Sequence, residues 1–277
     1  MTYDALGPGA LDYLPCRYGA SKLMFRGPKR DLAHRYLAFL GGSETYGKFI
    51  KEPFPALVEK EIGEVCVNFG AMNAGVDVYM RDPALKDFAS ASEATVVQVL
   101  GAQNMTNRLY SVHPRRNDRF VAPASLLETI YREVDFSEFH FNRHMLGHLL
   151  MVSPERFEAV ICELQQAWVA RMKSLLGAIS GRTVLLWIAM HQPPEAVAAD
   201  QASMGADPLF VTKDMLSQII PLVTEYVEVI ASEDAIAEGT KGMYFGELEE
   251  PAAAEMPGPK LHFEAARALS KVLEKMI

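Results

Sequence analysis

Five short apolar runs, each set apart from the next by a helical pattern, limit what this chain can fold into more than any other feature. They lie at 36–40 (YLAFL), 65–69 (VCVNF), 95–100 (TVVQVL), 183–188 (TVLLWI) and 226–230 (YVEVI). All are rich in β-branched and aromatic residues, and the first four end in glycine or in small and polar residues. Strands buried on both faces carry this pattern, with functional turns at their carboxyl ends. Between them, 54–62 opens at Pro53 and Pro55 and stops at Gly63, the proline-first, glycine-last asymmetry of a helix. Helical patterns also cover about 82–90, 154–176, 215–222 and 262–277. The longest, capped by Ser153, places Phe157, Val160, Leu164, Trp168, Met172 and Leu175 along one stripe. The alternation predicts an α/β fold: a doubly wound, mostly parallel five-stranded sheet with its ligand site beyond the carboxyl ends of the strands.

The alternation breaks once. More than eighty residues separate the third and fourth runs, and 106–182 predicts a helical insertion or lid. Residues 1–35 read as an N-terminal arm, and 247–259 (ELEEPAAAEMPGP) as a loop. No Gly/Ser- or Pro-rich linker divides the 277 residues, so a single domain over 1–277 is expected.

A net charge of −8 argues against nucleic acid as a partner, because phosphate backbones are held mainly by surplus Lys and Arg. Cys16, Cys66 and Cys162 are widely spaced with no C-x-x-C, which suits reduced thiols in the cytoplasm. Asp4, Gly7, Pro8 and Asp12 stand where a signal peptide needs a basic start and an apolar run. No segment approaches the roughly 18 apolar residues of a membrane span, so no membrane partner is expected. Homo-oligomerisation is left open.

Two chemistries compete for residues 39–49, FLGGSETYGKF. Gly42-x4-Gly47-Lys48 is nearly a phosphate-cradling P-loop, but the next position, which must ligate magnesium through a hydroxyl, is Phe49. No other strand ends in an aspartate that would hold the ion from the far side. A nucleotide- or sulfonucleotide-dependent transferase is therefore the weaker alternative.

The second chemistry draws on three turns. Gly41-Gly42-Ser43-Glu44-Thr45-Tyr46-Gly47 follows the first strand, Val67-Asn-Phe-Gly-Ala-Met-Asn-Ala-Gly75 the second, and Gly101-Ala-Gln-Asn104 the third. Together they resemble the first three blocks of the SGNH (GDSL-type) hydrolases, which implies a flavodoxin-like, SGNH-hydrolase-like sheet. The resemblance implies Ser43 as nucleophile, with Gly70 and the side chain of Asn104 or Gln103 forming the oxyanion hole. It implies His262, at the start of the last helix, as base. The pattern departs from the family at Gly42, where an aspartate is usual, and at Pro259, where the acid of the Asp-x-x-His block would stand. Asp207-Pro-Leu-Phe210 mimics that block in spacing only. An orienting acid would come from Glu247, Glu249, Glu250 or Glu255, or a Ser–His dyad would act alone. The resemblance covers about 36–105 and 183–277. The full chain, especially CRYGASKLMFRGPKR and VHPRRNDRF, also resembles a bacterial family of uncharacterised function.

A serine hydroxyl needs a nearby base and preorganised donors to attack an ester. The expected activity is that of an SGNH-like serine hydrolase or acyltransferase, needing neither cofactor nor metal. Its substrate would be a small-molecule or glycan ester, O-acylated and anionic. The alternative is a catalytically silent relative that binds an anionic ligand. The anion would be held by Arg108, Arg115 and Arg116, which with Arg119 concentrate positive charge after the third strand. His191, after the fourth strand, is the rival base or a substrate contact. Arg17, Lys22, Arg26, Lys29 and Arg30 read as a surface set, and His140, His144 and His148 as faces of a packing helix rather than a zinc site.

Overall fold

The computed structural model describes residues 11–197 and 204–277. Asp4, Gly7 and Pro8 lie outside the described residues. From β1 (Leu37–Leu40) the chain passes through α1 (Ser43–Tyr46) and α2 (Phe54–Ile62) to β2 (Cys66–Asn68), then through α3 (Val76–Met80) and α4 (Pro83–Ala91) to β3 (Ala94–Gln98). A hairpin of β4 (Tyr110–His113) and β5 (Arg116–Pro123) follows, then α5 (Ser125–Ile130), α6 (Asn142–Val152) and α7 (Pro154–Ala178). The last part runs β6 (Arg182–Ala189), α8 (Lys213–Ser217), β7 (Glu225–Ile230), α9 (Glu233–Glu238), α10 (Glu250–Ala254) and α11 (Pro259–Leu273).

The five long-range strands form one sheet in the order β2-β1-β3-β6-β7, and every pairing is parallel. The fold is therefore the doubly wound α/β sheet expected from the five runs. Period-two alternation divides each strand between two cores. Ala38, Leu40, Val67, Val97, Leu185 and Trp187 face the core built by α3, α4, α6 and α7. Leu37, Phe39, Val96, Val184, Leu186 and Ile188 face the smaller core beneath α2 and α11. Strand order reverses between β1 and β3, the switch point at which open α/β sheets bind ligands.

The region after β3 is not wholly helical. The arginine-rich stretch is the β4–β5 hairpin, whose Tyr110, Val112, Asn117 and Phe120 are buried while Arg116 is exposed. Frequent charge hid that alternation in the sequence. Most of the helical part is the crossover helix α7. Its Trp168 indole donates a 2.7 Å hydrogen bond to the Leu100 carbonyl, fixing the helix to the carboxyl end of β3. No helix among the described residues is long and apolar enough to cross a membrane.

The N-terminal arm is also more than surface. Arg26 is 7% exposed, and its guanidinium donates to the carbonyls of Gly47 at 2.6 Å and Lys51 at 2.7 Å. Burying an arginine requires such acceptors, and the sequence does not reveal carbonyls that only folding brings together.

Candidate active site

Two glycines follow β1 because the turn beyond it is crowded. A Cβ on Gly41 would lie 2.0 Å from Thr45 Oγ1 and 2.4 Å from Gln98 Oε1. Gln98, the last residue of β3, is the organising side chain. Its Oε1 accepts from Gly42 N at 2.9 Å, Thr45 N at 3.3 Å and Thr45 Oγ1 at 2.6 Å. A carboxamide from the neighbouring strand thus does what an N-cap side chain does for other helices, since Gly42 itself has none. The turn closes at Gly47, whose φ of 76° favours glycine.

This arrangement uses up the backbone donors that a phosphate would need. Gly42 N–H and Thr45 N–H both point to Gln98, and the Lys48 ammonium sits 4.4 Å over the Phe49 ring. A P-loop cradle is not formed.

Ser43 is 6% exposed at the edge of a cavity of about 360 Å³. Its Oγ accepts from Asn73 N–H at 2.9 Å and donates to Asn73 Oδ1 at 3.1 Å. Asn73 reaches this position from the β2–α3 turn with φ 54°, in the left-handed region that asparagine tolerates better than most residues. Its Nδ2 continues to Asp118 Oδ2 on β5 at 3.3 Å.

The oxyanion assignments fare unequally. Gly70 N–H donates to Asn68 Oδ1 at 2.9 Å, and Gly70 does not line the cavity. The backbone donor at Ser43 is Asn73 N–H instead. Asn104 and Gln103 both line the cavity. Asn104 Oδ1 accepts from Asn142 Nδ2 at 3.1 Å, which orients the amide so that Nδ2 is its remaining donor. Gln103 Nε2 is taken by Asp207 Oδ1 at 3.1 Å, so Asn104 is the better placed of the two.

The structure does not bring His262 to Ser43. Its ring is 1% exposed, stacks on Phe54 with centroids 5.7 Å apart, and accepts at Nδ1 from Phe54 N–H at 3.1 Å. Burial, with the Arg26 charge adding to it, pushes its pKa down to about 3. His262 therefore caps α2 from a distance and does not line the cavity. Its place at the start of the last helix is as expected, but its ring turns into the α2–α11 packing, an orientation that spacing does not encode. His191 is also elsewhere: its ring nitrogens lie 2.8 Å from the Gln192 carbonyl and 3.2 Å from the Asp207 carbonyl.

The arginines do not converge on the cavity either. Arg108 pairs with the buried Glu163, its Nε lying 2.6 Å from Oε2. Arg115 and Arg116 are exposed at the hairpin end, and none of the three lines the cavity. His144 and His148 pack against the Phe139 ring at 5.1 and 5.2 Å.

Carboxylates dominate the cavity instead. Glu44, Asp118, Asp207 and Glu255 line it, against Lys48 and Arg143, and Arg143 Nη1 is bound to Asp207 Oδ2 at 3.0 Å. Burial raises the Glu44 pKa from its ordinary value, opposed by a 2.7 Å bond from Gln98 Nε2 and reinforced by Asp207. Sequence reasoning missed Gln98, Asn73, Glu44, Asp118 and Arg143 as site residues. Only Gln98 carried a signal, as a polar residue inside the apolar run TVVQVL.

Three solved structures overlap this fold. A lipase, Lip_vut3, from a goat rumen metagenome is 10% identical, with 86% of this chain and 97% of that one covered at a TM-score of 0.43. The gut microbial diltiazem-metabolizing enzyme BT4096 is 14% identical at a TM-score of 0.37, with 87% of this chain covering 47% of that protein. A protein described as a GDSL-like lipase of Parabacteroides merdae is 12% identical at 0.39, with 84% and 96% covered. A comparison with curated proteins gave no match. One family model spans residues 1–277, and the chain belongs to that family, the domain of unknown function DUF6473.

Proposed function

We propose that this protein is an SGNH-like serine hydrolase or acyltransferase in which the Ser43 hydroxyl takes the acyl group of a small ester. The observation that carries the proposal is the position of Ser43: a hydrogen-bonded hydroxyl in the first turn after β1, on the rim of a cavity at the sheet's switch point. In this reaction Ser43 Oγ attacks the ester carbonyl, and its proton passes to a carboxylate of the cavity wall. The Asn104 amide stabilises the oxyanion as it forms. The lining favours a neutral or cationic, hydroxyl-bearing ester over the anionic one expected from the arginine segment, because four carboxylates face two cations. A cavity of about 360 Å³ suits a small molecule or a single sugar unit.

The experiment is labelling with a serine-directed fluorophosphonate, with the modified residue located by mass spectrometry. Labelling at Ser43 that disappears in Ser43→Ala is the expected result. An intact protein that does not label would leave the second reading, a silent relative that binds a neutral ligand in the same cavity. That reading is favoured by one observation, that neither His262 nor His191 contacts Ser43.

A further inference from the structure

We infer that Glu44, the residue after the serine, is the proton-transferring group of this site. The inference rests on the proposed Ser43 chemistry and deepens it.

Three structural observations support it. First, position 42 is glycine, and the space its side chain would fill is occupied: a Cβ there would lie 2.8 Å from Glu44 Oε2 and 3.2 Å from Leu100 Cδ2. The glycine at 42 thus leaves room for the Glu44 carboxylate. Second, Glu44 and Ser43 line one cavity from consecutive positions of α1. Third, Gln98 Nε2 holds Glu44 Oε2 at 2.7 Å while Gln98 Oε1 holds the turn itself, so one side chain fixes serine and carboxylate together.

Other charged and titratable groups set the environment. Lys48, Asp118, Arg143, Asp207 and Glu255 share the cavity, and Tyr79 couples to Glu44 from α3. Burial, reinforced by Asp207 and opposed by its hydrogen bonds, raises the Glu44 pKa from its ordinary value, which makes it a stronger base.

The step balances as follows. Ser43 Oγ, its hydrogen released from Asn73 Oδ1, forms a bond to the acyl carbon as its proton moves to Glu44. The bond from carbon to the leaving oxygen then breaks, and Glu44 returns the proton to the departing alcohol. Water or an acceptor hydroxyl next attacks the acyl-serine, giving its proton to Glu44, which passes it to Ser43 Oγ as that bond breaks.

The test compares fluorophosphonate labelling rates of wild type, Glu44→Gln and Glu44→Asp between about pH 4 and 8. Glu44→Gln keeps an oxygen for Gln98 Nε2, so its thermal unfolding should match wild type and serves as the folding control. Wild type should label Ser43 with a rate that rises with pH, with a midpoint above the ordinary carboxylate range of roughly 4.3. Glu44→Gln should label at least about a hundredfold more slowly and lose the rise, as expected when a general base is removed. Glu44→Asp should keep the rise at reduced rate. If Glu44→Gln labels Ser43 at the wild-type rate with the same pH profile, Glu44 is not the base although the serine chemistry stands. If wild type does not label at all, the Ser43 reading falls and takes this inference with it.

Discussion

His262 Nδ1 accepts a 3.1 Å hydrogen bond from the backbone N–H of Phe54, a residue 208 positions earlier in the chain. The bond closes the open N-terminus of α2, where Pro53 offers no side-chain cap. A neutral ring that accepts at Nδ1 carries its proton at Nε2, and that atom is buried without a hydrogen-bond partner among the described residues.

This relationship fixes a pH dependence. The folded-state pKa of His262 is about 3 and its unfolded value about 6.5, so below about pH 6.5 only the unfolded chain takes up the proton. The contribution to stability is complete above about pH 6.5 and is lost as pH falls towards 3, at roughly 1.4 kcal/mol per pH unit at most. His262→Ala should lose roughly 3 kcal/mol at neutral pH from ring packing and the cap. It should also flatten the slope between about pH 6.5 and 5. Urea unfolding of both proteins at three pH values in that window checks this. Equal slopes would mean that the buried ring does not titrate as described.

The glycine at position 42 should be sensitive to any side chain. Gly42→Ala is expected to cost roughly 1–3 kcal/mol, the range for forcing extra atoms into a packed site. In a Glu44→Ala background the same change should cost at least about 0.5 kcal/mol less, because the carboxylate it strikes is gone. A double-mutant cycle by urea unfolding measures the difference. Strict additivity would show that Glu44 does not fill that space.

The arginines of the β4–β5 hairpin should be dispensable for Ser43 reactivity. Arg115→Ala and Arg116→Ala, both at exposed positions outside the cavity, should label with fluorophosphonate within about twofold of wild type. Their stability should change by no more than about 0.5 kcal/mol. A tenfold loss in either would return the hairpin to the site.

Much of the architecture could be read from local pattern. Burial on both faces of a parallel strand demands short apolar runs, and helix periods must fall between them, so the parallel sheet follows from residues near one another in sequence, while its strand order does not. The β4–β5 hairpin escaped because its alternation is half-buried and interrupted by arginine and aspartate. Ser43 and Asn104 were legible as turn residues at strand ends, and the structure puts both on one cavity.

By itself, then, the sequence determined the parallel sheet, the turn that carries Ser43, and the position of His262 at the head of the last helix. Only the tertiary structure decided which groups meet. It turned His262 into the core against Phe54, committed Gly70 to Asn68, and left the arginines outside. It also brought Gln98 to the turn that carries the serine, Asn73 to the serine hydroxyl and Asp118 to Asn73. The reason is physical: strand and helix periods arise from neighbouring residues, whereas a side chain's partners depend on rotamer, burial and the approach of distant backbone.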